Sequence, residues 1–180
     1  IDFSDQQIRE NQMALHRIYS ALEKCAQVEK VNTAETQSPG PEKKVLLQQP
    51  ELFRKTWIEA MEDDFNTPKV MAAVFDYVRL LNAYLDKKGF KPSASSAEIA
   101  KRFRQEMAEL SCVINLFGEE PTAFLLTQKK HFLTAQGITE EWLQSQIEAR
   151  KKARQDKNFA ESDRIRDLLA AKGIAIKDQG

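Results

Sequence analysis

Three carboxylates stand side by side in this chain, Glu62, Asp63 and Asp64, followed by Phe65-Asn66-Thr67-Pro68. Paired carboxylates do acid/base work when their surroundings push their pKa values apart. A cluster of them can also hold a divalent ion or meet a partner's basic group. Neighbours in sequence point different ways, however, and an Asn-Thr-Pro hinge before an apolar run explains the same residues as a helix end and a helix start. The structural reading is preferred, and no catalytic residue is assigned here.

Other chemistry is thin. His16 and His131 lie on different segments, and neither has a cysteine or acid at metal-ligand spacing. No glycine-rich phosphate loop and no serine in a nucleophile elbow occur. Cys25 and Cys112 fall on apolar faces of predicted helices, where a buried, inert thiol is expected. Nothing like CxxC accompanies them, so a reducing, cytoplasmic setting is expected rather than a disulfide framework. No metal site is expected in this chain.

The most suggestive cluster is Arg150-Lys151-Lys152-Ala153-Arg154-Gln155-Asp156-Lys157, five basic residues and one acid in eight positions. One reading is a solvated helix end that complements the helix dipole. The other is a patch that contacts phosphates. Phe159 beside it, at a helix start, could serve as a platform for an unpaired base. Asp163 and Asp178 could accept hydrogen bonds from exposed base amino groups.

The elements that must position these residues read as helices. Ser4 with Gln7 forms a capping box before Ile8, Leu15, Ile18, Tyr19, Leu22 and Cys25. Residues 31–49 lose the period and read as a loop or flexible insert. Pro50 suits the first turn of a second helix with Leu52, Phe53, Trp57, Ile58 and Met61 as its stripe. Thr67 caps a third helix with Pro68 in its first turn, carrying Val70, Met71, Val74, Phe75, Val78, Leu81 and Leu85. Asn82 interrupts that face and needs a hydrogen-bond partner from a neighbouring helix if buried.

After a loop at 87–96, Ser95 with Glu98 opens a fourth helix through Ile99, Phe103, Met107, Leu110, Val113, Ile114 and Phe117, stopped by Gly118. Residues 119–137 read as a linker. A smaller unit over 138–180 holds a helix from Thr139 to the basic cluster, a helix capped by Asn158 with Glu161, and a short strand Ile174-Ala175-Ile176. Amphipathic helices hide their apolar faces on one another. The fold class is therefore mainly α, an antiparallel helical bundle over 1–118 with a small C-terminal α(+β) unit.

Composition agrees with this and narrows little else. Apolar residues make up 42% of the 180, enough for a core, and 27 basic residues balance 27 acidic ones. Net charge thus points to no partner, and any electrostatic footprint must be local. No apolar stretch approaches the length needed to span a bilayer, and no signal peptide is seen. The first residues, Ile-Asp-Phe-Ser without a methionine, suggest a piece of a longer protein.

The stretch FRKTWIEAMEDDFNTPKVMAAVFDYVRLLN resembles the helical, DALR-type region that follows the catalytic core in cysteinyl-tRNA synthetases. Phe53, Ala60, Met61, Asp63 to Pro68, Phe75, Leu81 and Asn82 fit that family's pattern. Asp2-Phe3-Ser4 with the helix through Leu22 looks like the first helix after its catalytic part. Ala149-Arg150, Ala153-Arg154, Lys157 to Ala160, Ser162-Asp163, Ile165 to Asp167, Gly173-Ile174 and Asp178 look like its anticodon-binding unit. Phe159 stands where the family often has tryptophan, which keeps stacking and loses an indole N–H donor. The family also continues past Gly180 into a short tail, so the small unit is expected to be truncated.

The resemblance implies a tRNA-binding C-terminal portion of a cysteine–tRNA ligase. Catalysis, ATP binding and zinc would belong to a domain upstream, and this portion alone would be inactive. Arg154, Phe159, Asp163, Arg166 and Asp178 match positions expected to contact the anticodon, with Lys151, Lys152 and Lys157 as tRNA-binding cations. The implied partner is the tRNA for cysteine, with no membrane and a monomeric chain. Two alternatives stay open: a helical protein-interaction module without a nucleic-acid role, and a relative that joins cysteine to a small molecule.

Overall fold

The computed structural model describes residues 4–30 and 40–176, and all regular structure among them is helical. Seven helices follow in order: α1 (Asp5–Glu29), α2 (Pro41–Glu62), α3 (Thr67–Leu85), α4 (Ala94–Ile114), α5 (Pro121–Ala135), α6 (Glu140–Gln155) and α7 (Phe159–Ala171). The chain divides into two compact units after Leu125, a point that falls inside α5.

In the first unit, α1 packs on α3 and α4, and α2 packs on the same two. The core holds Ile18, Leu22 and Cys25 of α1, Leu46, Phe53 and Trp57 of α2, Val70, Val74, Tyr77 and Leu81 of α3, and Ile99, Phe103, Met107 and Leu110 of α4. Each such side chain, fully buried, contributes about 1.5–3 kcal/mol. Tyr77 lies at the centre, with its ring 4.9 Å from Phe103 edge-on and 5.3 Å from Phe53. Asn82 finds the partner its position demands, because its Oδ1 accepts from Lys24 Nζ on α1 at 2.9 Å.

Several local expectations are corrected. The second helix begins at Pro41, so residues 41–49 are helical and Pro41, not Pro50, takes the first-turn position. Pro50 is buried in the interior of α2, where it lacks the N–H that would bond the Leu46 carbonyl. Next to this break, Arg102 Nη1 of α4 donates to the Leu47 carbonyl at 3.3 Å, and its Nε donates to Glu98 at 2.7 Å. Leu52 and Ile58, placed on the apolar stripe, are exposed. Arg54 grips the nearly buried Glu106 with both Nε (3.1 Å) and Nη2 (2.8 Å). Burial raises the Glu106 carboxyl above its ordinary pKa, and Arg54 opposes that rise.

Caps shift as well. Ser4 accepts from the Gln7 N–H at 3.2 Å, as expected. Asn66, not Thr67, caps α3, its Oδ1 accepting from the Lys69 N–H at 3.2 Å, and Thr67 is the first helical residue. The capping box of α4 is Ser93 with Ser96, two residues before the Ser95–Glu98 pair. That helix ends at Ile114, with Asn115 in the left-handed region at φ 54°, before Gly118 is reached. Cys25 is buried, and its thiol is pushed up to about 12 by burial and then by Glu29. Cys112 is exposed, contrary to expectation, because it lies on the outward side of α4.

The segment read as a linker forms α5. Glu120 opens it, its carboxylate accepting from the Ala123 and Thr122 N–H groups at 2.7 and 3.1 Å, and these bonds lower its pKa. Phe124 stacks on Tyr19 at 3.7 Å in the first core, whereas Leu133 belongs to the second.

The second unit has its own core of Leu133, Ile138, Leu143, Ile165 and Leu169, flanked by Trp142, Ile174 and Ile176. Its helices end alike. After α5, Gly137 (φ 62°) and Ile138 return hydrogen bonds to Thr134 and Leu133. After α7, Gly173 (φ 76°) and Ile174 return them to Ala170 and Leu169. This paired bonding with an apolar contact closes a helix on itself. Ile174-Ala175-Ile176 is therefore not a strand, and no strand exists among the described residues for it to pair with. Ile174 instead completes the closure of α7.

The two closing glycines differ in their surroundings. A Cβ at Gly137 would meet open space, whereas one at Gly173 would lie 3.3 Å from Phe132 Cζ. Gly137→Ala is expected to destabilise by about 1–2 kcal/mol from backbone strain alone. Gly173→Ala should cost more, and paired thermal melts of the two variants check the order.

Candidate nucleic-acid interface

The basic cluster runs through the last turns of α6 into the turn before α7. Thr139 caps α6, its Oγ1 accepting from the Trp142 N–H at 3.2 Å, and Glu140 and Glu141 occupy the first turn. Leu143, Arg150 and Ala153 form the buried side of α6. Arg150 thus leaves the exposed patch in which the sequence placed it. Lys151, Lys152, Arg154 and Lys157 remain exposed.

The helix hairpin is closed tightly. Lys157, at φ 57°, bonds the Arg154 carbonyl at 3.2 Å, and the Asn158 N–H bonds the Ala153 carbonyl at 2.8 Å. This is the same closure that ends α5 and α7, built here on lysine rather than glycine. Asn158 then caps α7, its Oδ1 accepting from the Glu161 N–H at 3.2 Å. Phe159, the first residue of α7, is 63% exposed, second only to Phe65 (72%) among the exposed large apolar side chains of the described residues. The turn therefore gathers Arg154, Lys157 and Phe159 within six residues, with Lys151 and Lys152 one turn back along α6.

Along α7, Ser162, Ile165 and Leu169 face the core. Phe159, Asp163 and Arg166 recur at spacings of four and three on another side of the helix. Asp163 and Arg166 are joined by an ion pair at 3.0 Å, and Arg166 also reaches Asp167 at 3.1 Å. Asp178 lies outside the described residues.

Three features were not drawn from the sequence. Arg164 holds Glu161 through two bonds of 2.7 Å, which lowers the Glu161 pKa. Lys172 Nζ sits 5.6 Å from the centre of the Trp142 ring. Phe132 packs against Gly173. The Glu161–Arg164 pair was readable from its three-residue spacing, but the other two join distant parts of the chain.

The remaining acids and histidines make no site. Glu62, Asp63 and Asp64 are exposed at the end of α2, where Asp64 (φ 52°) and Phe65 (φ 54°) turn the chain toward α3. His16 contacts only Ser20, at 3.3 Å, among the hydrogen bonds of the described residues. No group of three or more His, Cys, Asp or Glu that could hold a metal ion occurs among the described residues. No helix among them is long and apolar enough to cross a membrane.

Residues 56–118 match the DALR domain family. Residues 142–180 match the cysteinyl-tRNA ligase anticodon binding domain, and so include the whole α6–α7 hairpin except the start of α6. Over 99% of its length the chain is similar to the C-terminal part of cysteine–tRNA ligases. It is 35% identical to the enzyme of Syntrophobacter fumaroxidans, 37% to that of Geobacter metallireducens and 33% to that of Syntrophotalea carbinolica. The chain spans 37%, 36% and 35% of the length of these relatives. No solved structure matches it significantly.

Proposed function

We propose that this chain is the tRNA-binding portion of a cysteine–tRNA ligase and that its α6–α7 hairpin reads the anticodon. The observation that carries this is the exposed Phe159 beside Lys151, Lys152, Arg154 and Lys157, within the segment that matches the anticodon-binding family. The cations would neutralise backbone phosphates and the ring would stack on an unpaired base. Asp163 and Arg166, with Asp178, would supply the polar contacts that tell one base from another. ATP, zinc and the activation and transfer of cysteine are assigned to the remainder of the enzyme. The chain alone would act as a cytoplasmic monomer without ligase activity.

Fluorescence anisotropy with the tRNA for cysteine and with the same tRNA carrying a different anticodon tests this reading. The matching tRNA should bind more tightly, and both should weaken as salt rises. Asp163→Ala is expected to narrow the preference by about tenfold, with little change in melting temperature. Equal affinity of the unaltered chain for both tRNAs would show that the hairpin does not read the anticodon.

A further inference from the structure

Glu62, Asp63 and Asp64 form no catalytic or metal site, yet they stand beside Phe65, the most exposed large apolar side chain of the described residues. Among those residues no hydrogen bond or ion pair engages the three carboxylates. The ring is held outward by a closed turn. The Phe65 N–H bonds the Met61 carbonyl at 3.2 Å and the Asn66 N–H bonds the Ala60 carbonyl at 2.9 Å, with Asp64 and Phe65 both at positive φ. Phe65 therefore projects from ordered backbone, which lowers the entropy lost on docking.

A second turn lies at the same end of the first unit. Lys43 of α2 donates to Ser93 just before α4, Arg102 of α4 reaches the Leu47 carbonyl, and Arg54 binds Glu106 and Glu109. Contacts thus advance together along α2 and α4, so the two helices run parallel. Their last residues, Glu62 and Ile114, lie at one end of the bundle. Val113 and Leu116 are exposed there, while Phe117 turns back into the core. Residues 62–69 and 113–120 hold five acids, Glu62, Asp63, Asp64, Glu119 and Glu120, against one cation, Lys69.

An aromatic ring with an acidic border is selective about what covers it. Burying Phe65 would contribute about 1.5–3 kcal/mol. An RNA backbone would meet like charge here, and a second copy of this chain would bring the same acids against these. The surface fits a protein face with an apolar recess bordered by lysine or arginine. The chain is similar to the C-terminal part of ligases of which it spans 35–37%, so the larger part of each relative is protein on the same polypeptide as the bundle.

We propose that this end of the bundle is a docking surface for the upstream part of the ligase, with Phe65 seated in an apolar recess and Glu62, Asp63 and Asp64 meeting basic side chains around it. It rests on the ligase reading above and is independent of the anticodon-reading hairpin.

The test joins this chain to the upstream part of the Syntrophobacter fumaroxidans ligase and compares it with the 180-residue chain alone by hydrogen–deuterium exchange. Amides of residues 61–67 and 115–117 should exchange roughly tenfold more slowly in the joined enzyme, while those of 87–91 should not change. Phe65→Ser, and separately Asp63→Lys with Asp64→Lys, should return both turns to the rate of the chain alone. Glu141→Lys with Glu148→Lys, the same charge change in the second unit, should leave the protection in place. Unprotected turns in a joined enzyme that still attaches cysteine to tRNA would overturn the docking proposal and leave the ligase reading intact. A joined enzyme unable to attach cysteine would sink both. Self-association of the chain alone that Phe65→Ser abolishes would give the surface to a second copy and overturn the proposal.

Discussion

Phe103→Ala is expected to destabilise the first unit by about 3–5 kcal/mol. Phe103 is fully buried and meets Tyr77 edge-on at the point where α2, α3 and α4 converge. Removing its ring deletes the burial and leaves a cavity that three rigid helices cannot close. A domain of this size has only about 5–15 kcal/mol in hand, so the variant should lose much of its resistance to urea. Tyr77→Phe is the matched contrast. The Tyr77 hydroxyl is buried without a hydrogen-bond partner among the described residues, and burial raises its pKa. Replacing it should be neutral or stabilise by up to about 1 kcal/mol, since an unsatisfied buried hydroxyl is itself costly. Urea unfolding followed by circular dichroism separates the two, and a cost below about 1 kcal/mol for Phe103→Ala would mean the core is centred elsewhere.

Phe159→Ala should have the opposite profile, with nearly unchanged stability and a large loss of RNA affinity. The ring is mostly in water, so little burial is lost on truncation. Stacking of a base on an aromatic side chain is worth about 1–3 kcal/mol, so affinity for the tRNA should fall by roughly tenfold to a hundredfold. Phe159→Leu keeps the apolar bulk but not the flat face and should lose most of the same affinity. Phe159→Trp should keep it. Anisotropy titrations of the three variants decide the point, and a leucine variant that binds like the unaltered chain would remove stacking from the proposal.

The long helices and the capped hairpin were legible because each is written in nearest neighbours. Asn158 with Glu161, Thr139 with its two glutamates, and the apolar repeat through Val74, Val78, Leu81 and Leu85 need no tertiary information. Asn82 was legible in kind, since a polar residue on an apolar face calls for a partner, yet only the fold says that the partner is Lys24. The start of α2 was hidden by Pro50. A proline that usually marks a helix start sits here in a helix interior, tolerated because α4 packs beside it and Arg102 reaches the adjacent backbone. Helix α5 was hidden because Phe124, Leu125, Leu126, Phe132 and Leu133 make no single stripe. Ile174 and Ile176 suggested a strand through their branched side chains, but their neighbours are helices. At the candidate interface the residue types were readable, and the Asp163–Arg166 pair lies at the same three-residue spacing as Glu161–Arg164 on α7, whereas the burial of Arg150 depended on how α6 packs on its neighbour.

The turn between α6 and α7 carries a backbone cost at Lys157. Two neighbouring helices end with glycine in the left-handed conformation, and the α6 ending places a lysine in the same conformation. An L-residue there gives up roughly 1–2 kcal/mol relative to glycine. Glycine at position 157 would carry no such cost. Lys157 accepts that cost at the α6–α7 turn, as Asp64, Phe65, Asn115 and Phe117 do at the turns that follow α2 and α4.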